Sequence, residues 1–125
     1  MNILLFTMFL LIPNGASVDS AQSSQVWRGL FGWEHDTTQY SIQIEFSKDT
    51  LMYISEVKLS FHASLIKADS VSSRFHISPI ANDSLFSNGT FDLIKVSTFP
   101  SDVIQIQFYP KIKEQLWIGQ LKLIK

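Results

Sequence analysis

Between residues 40 and 46 the chain reads Tyr-Ser-Ile-Gln-Ile-Glu-Phe, an alternation of apolar and polar positions without a fault. A period of two is the pattern of a strand with one buried face, so Tyr40, Ile42, Ile44 and Phe46 share one side and Ser41, Gln43 and Glu45 the other. The same period recurs downstream. After a polar turn at residues 47–50, a second strand is expected over residues 54–62, with Val57, Leu59 and Phe61 inward and Glu56, Lys58, Ser60 and His62 outward. A third, at residues 74–77, places Phe75 and Ile77 inward and ends before Pro79. Residues 90–96 are a less regular fourth. In a fifth, Ile104, Ile106 and Phe108 alternate with Gln105 and Gln107. The last covers residues 116–124, where the apolar positions pass from Leu116 and Ile118 to Leu121 and Leu123 around Gly119, a change of phase that reads as a bulge. Six or more short strands without a helical period predict an all-β protein, an antiparallel β-sandwich of the jelly-roll kind.

The opening of the chain has a different character. Residues 3–12 carry no charge, and at this length they match the apolar core of a signal peptide and fall short of the roughly 20 residues that a transmembrane helix requires. Pro13, Asn14 and Gly15 break any helix, and the small residues that follow suit cleavage after Ser17 or Ser20. No Lys or Arg precedes the apolar core, so the amino terminus alone supplies positive charge. The expectation is a signal peptide over residues 1–20 and one β-sandwich domain over residues 21–125. The product is then secreted, with no transmembrane segment after processing. The contrary reading makes the apolar run a buried element of a piece of a longer protein.

About a hundred residues beyond that segment suffice for one domain. With 46% hydrophobic and 17% charged residues, the chain has enough apolar surface to fold. It contains no cysteine, so the domain has no disulfides and depends on packing, to which ten Phe, three Trp and three Tyr contribute. The same absence excludes thiol nucleophiles and thiolate zinc sites. A net charge of −1 with scattered basic residues gives no electrostatic basis for binding nucleic acid or an anionic membrane.

The strand at Tyr40 to Phe46, a turn, and then Ile54-Ser55-Glu56-Val57-Lys58-Leu59-Ser60-Phe61 resemble the central strand pair of galactose-binding-like jelly rolls, the superfamily of discoidin-type domains. Asp102-Val103-Ile104-Gln105-Ile106-Gln107-Phe108-Tyr109 is similar to their late strand and Ile118-Gly119-Gln120-Leu121-Lys122-Leu123 to their closing one. The chain is shorter than discoidin domains and lacks the cysteine pair that commonly ties their ends. The resemblance implies a non-catalytic binding module and transfers no functional residue.

Among residues with chemistry to offer, Glu34-His35-Asp36 is the densest set of potential metal ligands, but adjacent side chains rarely converge on one ion, and the triplet reads as a solvated turn. His35, His62 and His76 lack a serine in a nucleophile-elbow context, and no glutamate stands out as half of a catalytic pair. No enzymatic activity, cofactor or metal is therefore expected. The segment Val26-Trp27-Arg28-Gly29-Leu30-Phe31-Gly32-Trp33 interleaves aromatics with glycines and reads as a loop or edge. Trp27 and Trp33 are either ligand-stacking surfaces beside the planar Arg28 guanidinium or plugs for the end of the sandwich. Asn82-Asp83-Ser84 and Asn88-Gly89-Thr90 are acceptor sequons for glycosylation within one loop. Two functional classes follow. One is a secreted recognition module that binds a glycan or a protein surface through loops with Trp27, Arg28 and Trp33. The other is a structural or interaction domain of a larger intracellular multidomain protein.

Overall fold

In the computed structural model, residues 24–125 are described, and the expected signal peptide at residues 1–20 lies outside them. The chain forms eight strands: β1 (Gln25–Trp33), β2 (Tyr40–Phe46), β3 (Thr50–Ile54), β4 (Leu59–Ala68), β5 (Ser72–Ile77), β6 (Thr90–Ile94), β7 (Val103–Tyr109) and β8 (Trp117–Ile124). Each pairs antiparallel with the next, and β8 returns to pair with β1. The expected β-sandwich, or jelly roll, is corrected accordingly: the fold is a closed up-and-down barrel of one continuous sheet. A sandwich buries the inner faces of two sheets against each other. Here one sheet curls until its first and last strands meet along Val26↔Ile124 to Trp33↔Trp117.

The alternation that predicts strands also fills the barrel. Phe31, Phe91, Phe108, Ile44, Ile54, Ile77, Ile106 and Leu121 are fully buried, and Trp27, Met52, Phe61, Phe75 and Trp117 complete the packing. The rings of Phe75 and Phe91 stack at 4.9 Å with their planes 6° apart. At eight strands, a barrel interior is just wide enough for side chains to fill it. In β2 and β7 apolar residues point in and polar ones out, while Leu30, Leu51 and Tyr53 of β1 and β3 are exposed on the outer wall. Among the described residues, no helix is long and apolar enough to cross a membrane.

Hairpin positions depart from the sequence reading in three places. Residues 54–62 are not one strand but the end of β3, a turn and the start of β4. The turn is closed by the Lys58 N–H donating to the Ser55 carbonyl at 3.2 Å, with Lys58 itself left-handed at φ 50°. Residues 25–33 are a full strand. β8 has no bulge at Gly119, because its register runs unbroken on both sides and its inward positions are Trp117, Gly119, Leu121 and Leu123, with Ile118 outward. The bulge lies in β4 instead, between Leu65 and Lys67. Beyond Ala63, the last residue of β4 paired with β3, Ser64, Leu65, Lys67 and Ala68 pair with β5, Ile66 falls in the bulge, and all five are exposed.

The loop at residues 78–89 closes the end of the barrel where β1 finishes. Its Phe86 inserts among Phe31, Tyr40, Phe61, Phe108 and Trp117 at centroid distances of 5.3–6.5 Å. Asp83 holds that loop by accepting hydrogen bonds from the N–H groups of Phe86 (2.8 Å) and Ser87 (3.2 Å).

Candidate functional site

Because β1 is a strand, its consecutive residues face opposite ways, and the three residues singled out in its sequence separate. Trp27 points into the core and is 8% exposed. Arg28 stands on the outer wall. Trp33, half-buried, lies at the plugged end opposite Trp117, with its ring meeting the His35 ring edge-on at 5.5 Å. Six residues of strand put roughly 20 Å between Trp27 and Trp33.

The wall brings Arg28 to a different set. Its register partner on β2 is Gln43, whose partner on β3 is Tyr53, so the three form one row across the strands. The Arg28 Nε donates to Gln43 Oε1 at 2.7 Å. One row higher, Leu30 pairs with Ser41, whose carbonyl accepts the Ser55 N–H at 3.1 Å. Two short serines between taller neighbours leave a shallow open groove lined by Arg28, Leu30, Ser41, Gln43, Tyr53 and Ser55. Beside the lining Ser41, Glu56 accepts from the Ser41 N–H at 2.7 Å and the Ser41 hydroxyl at 2.8 Å. These bonds, the backbone one first, hold the Glu56 carboxyl below its ordinary value. Lys122, paired with Arg28 across the barrel seam, adds a second cation beside the lower row.

This arrangement offers planar donors from Arg28, an amide from Gln43, hydroxyls from Ser41 and Ser55, a carboxylate from Glu56 and the ring of Tyr53, which is 36% exposed. A hydroxyl-bearing ring can satisfy such groups with its edges while a face rests on the tyrosine. Gln43, Tyr53, Ser41 and Glu56 carry no motif in the sequence. Only the register of β1 to β3 aligns them, although Gln43 and Ser41 already fall on the polar face of the clearest strand.

A second polar cluster lies on β5 to β7. Arg74 grips Asp92 with two parallel bonds of 2.8 and 2.9 Å, and the guanidinium sits 5.9 Å from the centre of the Tyr109 ring. The Tyr109 hydroxyl donates to Gln107 at 2.8 Å, and Gln107 in turn to Gln105 at 2.9 Å. Burial, with Asp92 nearby, pushes the Tyr109 phenol above its usual value. The partners satisfy one another, so this row ties three strands together. At the loop end, Asp36 accepts from the Thr38 N–H at 3.3 Å as a turn residue, while Glu34 and His35 lie 3.7 Å apart in the exposed part of the same loop. Among the described residues, no group of three or more His, Cys, Asp or Glu side chains is placed to hold a metal ion. His62 and His76 face outward on β4 and β5.

No family model matches the chain, and neither a curated protein nor a solved structure matches it.

Proposed function

We propose that this chain is a non-catalytic, secreted recognition module that binds a glycan in the groove over β1 to β3. The observation that carries this reading is the row Arg28–Gln43–Tyr53 beside the trough of Ser41 and Ser55, an exposed ring flanked by charged and amide hydrogen-bonding groups on a rigid wall. A packed interior leaves the outer surface for recognition. The proposed site is therefore on the side of the barrel, with Arg28 in it, while Trp27 belongs to the core and Trp33 to the plugged end. Secretion rests on the apolar segment at residues 3–12 and the small residues after it.

The test is a glycan array probed with the full chain expressed in secreting cells, followed by titration of the best ligand. Arg28→Ala and Tyr53→Ala are each expected to weaken binding by about tenfold or more, as truncation of a contact residue does, with the thermal melt nearly unchanged. Binding that survives both substitutions, or no glycan bound at all, overturns the proposal.

A further inference from the structure

The two acceptor sequons sit in the same loop, yet the fold treats them oppositely. Resting on the secretory reading above, we infer that Asn82 carries an N-linked glycan and that Asn88 does not. Transfer requires the asparagine Nδ2 and the hydroxyl two residues on to be presented together to an enzyme. The amide nitrogen then forms a bond to the anomeric carbon of an oligosaccharide held on a lipid diphosphate, the diphosphate leaves, and the amide gives up a proton.

Asn82 meets this requirement in the folded chain. Both asparagines are left-handed, Asn82 at φ 63° and Asn88 at φ 62°, but Asn82 is exposed at the apex of a turn, and Ser84 is exposed as well. The loop's own anchor is the Asp83 carboxylate between them, which bonds to Phe86 and Ser87 and leaves both Asn82 and Ser84 outside.

Asn88 is held from both sides. It is half-buried, with Nδ2 3.5 Å from Ser87 Oγ, which also accepts from the Ile80 N–H at 2.8 Å. Gly89 is buried against the Phe108 ring, and its carbonyl accepts the Ile77 N–H at 2.8 Å. The required hydroxyl belongs to Thr90, the first residue of β6, locked between His76 and Tyr109. Freeing residues 88–90 would break the Gly89 N–H bond to the Phe86 carbonyl and unseat the plug. Once the barrel closes, only the first sequon remains presentable. A glycan on Asn82 would stand over the plugged end and leave the groove on the side wall clear.

The full chain is expressed in secreting animal cells in two forms, one with its own amino terminus and one behind a cleavable leader that directs secretion. Glycans are removed enzymatically in heavy-oxygen water, which marks each formerly modified Asn as a labelled Asp. The expected result is label at position 82, unmodified Asn88, and complete loss of glycan mass in Ser84→Ala, a change at an exposed hydroxyl that leaves the left-handed Asn82 in place. Secreted protein with unmodified Asn82, or with Asn88 occupied as fully as Asn82, overturns the inference. Should only the leader-bearing form be secreted, the compartment reading fails, and the site assignment is still decided by its label.

Discussion

Gly29 and Gly119 exclude side chains reciprocally at the barrel seam: a Cβ on Gly29 would strike the Gln120 carbonyl, and one on Gly119 would strike the Leu30 carbonyl. Both obstacles are backbone, which cannot swing away as the end of a long side chain can. Closure of β8 onto β1 therefore depends on two missing methyl groups. Gly119→Ala is expected to destabilise by about 1–3 kcal/mol or more, the cost of overpacking. Gln120→Ala, at an exposed neighbouring position, should stay within about 0.5 kcal/mol. Urea unfolding of both variants is the check, and equal midpoints would contradict the seam argument.

Among the described residues, Phe86 is the one core aromatic that a loop, and not a strand, contributes. Truncating it to Ala removes a ring that touches Phe31, Phe61, Phe108 and Trp117, and should cost about 3–5 kcal/mol. Trp117 emission should shift to the red as water gains access. A near-native melt for Phe86→Ala would mean that the loop is ornamental.

Neighbours on one strand should differ sharply. Ile44 is completely buried, so Ile44→Ala is expected to cost about 2–5 kcal/mol. Gln43→Ala should change stability little and report instead on groove binding. For the tryptophans, Trp27→Ala should cost about 3–5 kcal/mol, and Trp33→Ala less, because its ring is only partly covered. Thermal melts of the four variants give the ranking, and an inverted order for Trp27 and Trp33 would contradict it.

Acid sensitivity follows from two exposed carboxylates. The Ser41 N–H and hydroxyl lower the Glu56 pKa from its ordinary 4.5, and the N–H groups of Val71 and Ser72 lower that of Asp69 from 3.8. A group with a depressed native pKa stabilises fully above its unfolded value and loses that contribution as pH falls through the native one. Stability should therefore decline as pH drops below 4.5 and 3.8. Glu56→Gln should flatten the upper part of that decline, as read from urea midpoints across the acid range. An unchanged slope would show that these bonds do not form in solution.

Much of the wall was legible because burial on one side imposes a period of two. Tyr40 to Phe46 and the inward set Phe75, Ile77, Ile104, Ile106 and Phe108 fall where alternation puts them. β1 was hidden by Gly29 and Gly32, which read as loop residues although one of them permits strand closure. The β3–β4 hairpin was hidden because its turn, residues 55–58, contains neither Gly nor Pro and relies on a left-handed Lys58. The choice of barrel over sandwich depends on whether Trp27 meets Leu123, a contact between chain ends that no local pattern encodes. The groove was unreadable for the same reason, since Arg28, Gln43 and Tyr53 become neighbours only through register.

A barrel leaves no sheet margin open to a foreign strand, except that here β4 outruns β3. Among the described residues, 64–68 have no strand partner on the β3 side, and the exposed Leu65, Ile66 and Val71 lie on the same hairpin. Such a margin is a template for fibrils. The irregularity at Ile66 spoils its flatness, and the charge of Lys67 stands next to it. Straightening the strand at Ile66 or neutralising Lys67 is therefore expected to favour polymers built through this hairpin, with the barrel itself intact.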